Sequence, residues 1–164
     1  MVRGALIFAA LALAAAAPAA AQSSLDLRIL AAHNAERARA GVPPLAWDPL
    51  LAAGAAPHAA LLAATGQLVH SDRKARRGIG ENLWMGPRSS PEQMIALWAS
   101  ERRNFLAGIF PDVSRTRNWM DIAHYSQVIW PTTTRVGCAL GRGRMDVLVC
   151  RYAPAGNIDG RHVP

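Results

Sequence analysis

The chain has 164 residues, with 18 Lys and Arg against 11 Asp and Glu, a formal net charge of +7. That length supports one domain with a real core. Beyond the N-terminal leader no stretch is apolar for long enough to span a bilayer as a helix. The arginine-rich excess comes without a recognised nucleic-acid-binding motif, which argues against a nucleic-acid partner.

Residues 1–21 read as a secretory signal peptide. Arg3 supplies a short positive start, Ala5 to Ala17 is an apolar run, and Ala19-Ala20-Ala21 forms a small-residue cleavage site before Gln22. The rest, 22–164, is expected to be a single domain, secreted or periplasmic and monomeric. Two basic clusters, Arg73-Lys74 with Arg76-Arg77 and Arg142 with Arg144, mark its surface. They read either as an ordinary solvated face or as an attraction to lipid headgroups or anionic envelope polymers. The two cysteines, Cys138 and Cys150, are expected to pair in an oxidising compartment.

Four helices are predicted in chain order. The first runs from Leu25 to Ala40 and stops at Gly41. The second starts from the Asp48-Pro49 cap, ends near Thr65 at Gly66, and includes the alanine-rich stretch Ala52 to Ala64, read as close packing. Ser90-Pro91-Glu92 starts a third, with Met94, Leu97, Trp98 and Phe105 on one side. The fourth spans Met120 to Trp130 before Pro131. Strands are expected at Leu83–Met85, Arg135–Leu140 and Val147–Tyr152. The last two flank the turn signal Gly141-Arg142-Gly143-Arg144 and form an antiparallel hairpin with the cysteines facing each other. Helices interleaved with a few strands make an α+β sandwich.

The chemistry-bearing residues are dispersed. Glu101 follows Trp98 by three positions and precedes Phe105 by four, which sets its carboxylate beside an apolar face. A carboxylate there must find a distant partner or a cation. His124 lies one turn before Val128 and is directed inward. Glu81 sits between Gly80 and Asn82 where the chain enters a strand, and His70 closes the second helical region. Two imidazoles and two carboxylates suit Zn²⁺ with water completing the sphere, or a buried acid–imidazole network. The H-E-x-x-H, P-loop, G-x-S-x-G and C-x-x-C motifs are absent. His33 and Arg37 share a helix face and read as a structural polar network; His58 and His162 are expected to face solvent.

Taken together, Leu30-Ala31-Ala32-His33-Asn34, Pro44-Leu45-Ala46-Trp47-Asp48, Leu68-Val69-His70-Ser71, Gly80-Glu81-Asn82-Leu83, Trp98 with Glu101, His124 to Trp130, Val136-Gly137-Cys138 and Tyr152 to Asn157 resemble the CAP superfamily (cysteine-rich secretory proteins, antigen 5 and pathogenesis-related group 1; the SCP domain). The resemblance covers about residues 27 to 160, and the alanine- and arginine-rich composition looks bacterial. It implies a three-layer α-β-α sandwich with a central antiparallel sheet. It implies a cleft tetrad of His70, Glu81, Glu101 and His124, with the histidines as direct metal ligands where a divalent cation binds. Ser126 and Gln127 would line the same cleft. Three functions follow as expectations. The preferred one is a binding module holding a cation and a lipid-like or envelope ligand. The second is a hydrolase with Glu81 or Glu101 as general base, or Ser126 as nucleophile. The third is an extracellular scaffold.

Overall fold

The computed structural model describes residues 23–164, so the proposed signal peptide lies outside the described residues. Helix α1 (Ser24–Arg39) starts from a reciprocal cap. The Ser23 hydroxyl accepts from the Asp26 amide, and the Asp26 carboxylate accepts from the Ser23 amide. In α2 (Pro49–Thr65) the Asp48 carboxylate accepts from the Leu50 and Leu51 amides, proline occupies the first turn, and Gly66 closes the helix at φ 67°. Ser90 and Gln93 repeat the reciprocal cap for α3 (Pro91–Ala99).

Four strands form the central sheet: β1 (Ala46–Trp47), β2 (Gly80–Gly86), β4 (Arg135–Gly141) and β5 (Asp146–Ala153), in the order β1-β4-β5-β2. The β4–β5 hairpin forms as expected, and β2 pairs antiparallel with β5. The short β1 runs parallel to β4, so the sheet is antiparallel except at that edge. Two further short strands, β3 (Gly108–Ile109) and β6 (His162–Val163), pair with each other away from it.

Alternation along β2 divides the molecule into layers. Leu83 joins Val147 and Val149 under Ala55, Ala59, Leu62 and Ala63 of α2. Trp84 faces the other way, into a core with Ile29, Met94, Trp98, Ile129 and Tyr152 contributed largely by α1, α3 and the short α4 (Ala123–Val128). On the α2 side the approach is unusually close. A Cβ at Gly137 would stand 2.3 Å from the Asp48 carbonyl oxygen, and one at Gly141 would stand 2.1 Å from that of Ala59. Only glycine lets the backbone of α2 lie on β4 there.

Cys138 and Cys150 occupy directly opposed positions of the hairpin and are joined as a disulfide. Closing so short a loop contributes about 3 kcal/mol in the chain-entropy picture. The Cys138→Ala/Cys150→Ala variant should therefore unfold at a clearly lower urea midpoint, with its fold unchanged by circular dichroism. An unmoved midpoint would show that the hairpin holds without the crosslink.

The His33 and Arg37 network expected on α1 is present and fully buried. Arg37 donates to the carbonyls of Pro43, Val128, Trp130 and Thr133 at 2.6–3.0 Å. It thereby ties α1 to the segment that follows α4. Burial lowers its pKa to about 10, opposed by the nearby Tyr152 oxygen. His33 Nδ1 donates to the Ile29 carbonyl at 2.9 Å, and Nε2 lies 2.9 Å from the Tyr152 hydroxyl. Burial drives the His33 pKa down to about 4; the Ile29 carbonyl opposes this and the Arg37 charge adds to it. The ring is therefore neutral near pH 7, and Nε2 accepts from Tyr152.

Several expectations are corrected by the fold. The third helix does not continue to Phe105: it ends at Ala99 and tightens into a 3₁₀ turn, Ser100–Asn104. The geometry of three residues per turn re-aims Glu101, and Leu97 is exposed rather than part of the buried side. The fourth helix divides into a 3₁₀ turn at Trp119–Ile122 and α4 proper. In α2 only Ala55, Ala59 and Ala63 are buried in the packing; Ala53, Ala56, Ala60 and Ala64 face outward. His58 is half-buried, with Nε2 2.9 Å from the Val69 carbonyl, whereas His162 is exposed as expected.

Candidate functional site

The edge strand β2 organises the site. Glu81 points to the α2 side of the sheet, opposite Arg151 of β5, and its neighbour Asn82 points to the other side. His70 lies beyond the end of α2, in the loop after Gly66, so it does not close the helix. Its Nδ1 is 2.9 Å from Glu81 Oε1. The Glu81 side chain is fully buried and also accepts from the Ser71 amide and hydroxyl, at 2.9 and 2.6 Å. Arg76 and Arg151 approach it at 3.7 and 3.6 Å. Burial by itself would raise the carboxyl pKa. The hydrogen bonds from His70 and Ser71, with the Arg76 charge, outweigh burial and hold it at about 2.

The second pair is built at the junction of three short elements. Glu101, in the 3₁₀ turn, accepts from the main-chain amides of His124 and Tyr125 at 2.9 and 3.0 Å, closing the first turn of α4. Its other oxygen meets His124 Nδ1 at 2.6 Å. The distant partner expected for this carboxylate is thus His124. The His124 ring lies parallel to Trp98, with an interplanar angle of 7° and centroids 6.0 Å apart. Asn82 donates to the His124 carbonyl at 3.1 Å and to the Tyr152 hydroxyl at 3.3 Å. A continuous polar path therefore runs from the His124 main chain through Asn82 and Tyr152 to His33.

The tetrad residues form two separate carboxylate–imidazole pairs: His70 with Glu81 on the α2 side of β2, and His124 with Glu101 on the other side, where Asn82 of β2 holds the His124 carbonyl. Each carboxylate fixes an Nδ1, and among the described residues neither Nε2 has a hydrogen-bond partner. The His70 and His124 side chains are 53% and 34% exposed, so His124 is turned outward more than its helix position implied. Among the described residues no three His, Cys, Asp or Glu side chains are gathered as a metal-holding group. Two imidazoles with their second nitrogens oriented by carboxylates do match the donor type and outer-shell arrangement of a two-histidine cation site.

Ser126 and Gln127, expected on the cleft wall, are both buried. The Ser126 hydroxyl donates to Asn157 Oδ1 at 2.7 Å and has no histidine among its partners. Gln127 accepts from the Gly156 amide at 2.9 Å. Both residues hold the segment after β5 against α4. Sequence reasoning missed Arg76, Arg151, Tyr152 and Asn157 as supports. Tyr152 and Asn157 bounded one of the quoted motifs, and Ser71 and Asn82 were immediate neighbours of His70 and Glu81; Arg76 and Arg151 carried no such signal.

The α-β-α sandwich thus sets one carboxylate–imidazole pair at its edge strand and a second between the 3₁₀ turn and α4. The chain belongs to the cysteine-rich secretory protein (CAP) family, whose model matches residues 30–152. Pathogenesis-related protein 1C of Nicotiana tabacum is 35% identical over 136 residues, covering 80% of this chain and 76% of the relative. The secreted protein RBT4 of Candida albicans is 34% identical over 137 residues, 81% of this chain but 36% of RBT4. Among solved folds, the crystal structure of NaASP2 with Zn²⁺ matches with a TM-score of 0.69 at 23% identity, over 90% of this chain and 88% of that one.

Proposed function

We propose that this CAP domain is an exported binding module that holds a divalent cation, zinc by ligand type, between His70 and His124. It would present a surface to a lipid-like or anionic envelope ligand. The observation that carries this reading is the pair of carboxylate-fixed rings: Nδ1 of each is committed to Glu81 or Glu101, which leaves Nε2 as the free donor on an exposed ring. A bound cation would add a fixed positive charge and open coordination positions for an anionic group. The exposed Arg73, Lys74 and Arg77, a few positions after His70, add to that attraction. The secreted relative RBT4 supports export, and the zinc in the NaASP2 crystal supports the choice of metal.

Hydrolysis is less well served. Glu81 is buried and strongly acidic, Glu101 is engaged by two main-chain amides as well as by His124, and the Ser126 hydroxyl is directed at Asn157. None of the three is placed to take a proton from a reacting group.

Calorimetric titration of Zn²⁺ into the mature protein tests the proposal, with His70→Ala/His124→Ala as the comparison. Saturable binding that disappears in the double variant is the expected result. A folded wild type that gives no binding heat would remove the cation from the reading.

A further inference from the structure

Helix α2 contains no Asp, Glu, Lys or Arg, although one whole side of it faces out of the fold. The outward line is Leu50, Gly54, Pro57, Leu61 and Ala64, spaced four, three, four and three apart, so these positions stack on one face. Ala53, Ala56 and Ala60 widen it. Leu50 is 81% exposed and Leu61 57%. At 1.5 Å per residue the stripe is about 21 Å long. The hydrogen bond from His58 to the Val69 carbonyl holds the following segment, with the exposed Leu68 and Val69, beside the helix. At the far end the stripe meets an open cavity of about 510 Å³ lined by Ala63, Ala64, Met85, Arg144 and Met145. A helix apolar on every side is one that is covered on every side. The sheet covers only the inner face of α2.

The rim of this surface is cationic. Arg135 lies at the start of α2, bonded to the Asp48 cap. Arg142 and Arg144 stand at its end, and Arg73, Lys74 and Arg77 follow Val69. The carboxylates that answer Arg135 and Arg142, Asp48 and Asp146, are buried beneath exposed guanidiniums. Arg73, Lys74, Arg77 and Arg144 form no salt bridge among the described residues, and Asp72 is the one exposed carboxylate in their loop. A second copy of the chain would set two such rims against each other. A surface of anionic lipid headgroups over acyl chains matches both the apolar centre and the positive border.

We infer that the outer face of α2, with Leu68, Val69 and its arginine and lysine rim, docks this domain onto the surface of an anionic lipid bilayer. Leu50 and Leu61 enter the headgroup boundary while the sheet remains above it. The contact needs no cation at His70 and His124, so it stands apart from the metal reading.

Vesicle flotation tests this with the mature protein in the presence of a chelator. The vesicles are phosphatidylcholine alone or phosphatidylcholine mixed with phosphatidylglycerol. The expected result is flotation with the anionic vesicles only, weakened by added salt. The Leu50→Ser/Leu61→Ser variant should partition roughly tenfold less, from the apolar area it withdraws. Arg73→Glu/Arg144→Glu should lose the preference for phosphatidylglycerol. All four positions are exposed, so circular dichroism should be unchanged. Failure of the wild type to float, or flotation indifferent to the leucine pair, would overturn the inference. So would light scattering that shows a dimer dissociated by the leucine pair, which would make this face a contact between copies.

Discussion

Arg37→Ala should lower the folding free energy by about 4 kcal/mol, within the range for stripping one partner from a buried charged network. The side chain is fully buried, and its four acceptors are main-chain carbonyls with no carboxylate among them. Alanine would leave the carbonyls of Val128, Trp130 and Thr133 without the donor that now joins them to α1, and would leave a cavity besides. Arg37→Lys separates the two contributions. An ammonium keeps the charge but cannot spread donors over all four oxygens, so it should recover only part of the loss. Urea unfolding followed by tryptophan fluorescence at neutral pH provides the measurement. A loss near 1 kcal/mol or less for the alanine variant would mean that water replaces the guanidinium readily and that the network is not a structural centre.

Stability should also fall as the pH drops from about 6.5 toward 4, because of His33. The unfolded imidazole takes a proton near its ordinary value of about 6.5, whereas the folded ring resists protonation until about pH 4. Between those values the unfolded state binds more protons, so stability rises with pH across the window and is fully present above it. The whole window amounts to about 3 kcal/mol, to order of magnitude. Burial is the main cause; the Ile29 carbonyl opposes it, while Arg37 repels a second positive charge and the Tyr152 hydroxyl, itself held protonated by burial, donates to Nε2. His33→Gln should be less stable at pH 7, where it disturbs the bond to Tyr152, yet should show a flatter profile between pH 6.5 and 5. Ordinary carboxylates stay ionised in both states over that interval. Profiles of equal slope for the two proteins would place the acid sensitivity elsewhere.

The positions that sequence reading placed well are those where one short stretch contains its own cause. Asp48-Pro49 through Gly66 encloses a cap, a proline at the first turn and a left-handed stop, and α2 has those bounds. The Gly-Arg-Gly-Arg turn, flanked by apolar runs, yields the hairpin and brings the two cysteines opposite each other. His33 and Arg37, four apart on a helix, share a face and are buried together. The ordered motifs from Leu30 to Asn157 carried the family.

Where the chain misled, the cause lay outside the local stretch. Glu101 was placed by α-helical spacing, but the helix tightens after Ala99, and its carboxylate is aimed by the amides of His124 and Tyr125. Ser126 is a hydroxyl in the right neighbourhood whose direction is decided by Asn157, far along the chain. The alanines of α2 read as packing, yet among the described residues nothing covers the outer side of that helix, because a helix hydrophobic all round does not say which side its sheet will take.

Sequence by itself determined the family, the bounds of α2 and the hairpin with its disulfide, since each is written in local capping, turn and motif chemistry. Only the tertiary structure decided that the tetrad residues form two separate carboxylate-fixed imidazoles, one at the edge strand and one between the 3₁₀ turn and α4. It also decided that Ser126 and Gln127 turn inward, and that among the described residues the apolar outer side of α2 is left uncovered within a basic rim. Those outcomes depend on which face of a strand or helix meets which distant partner, and close packing settles that between segments many residues apart.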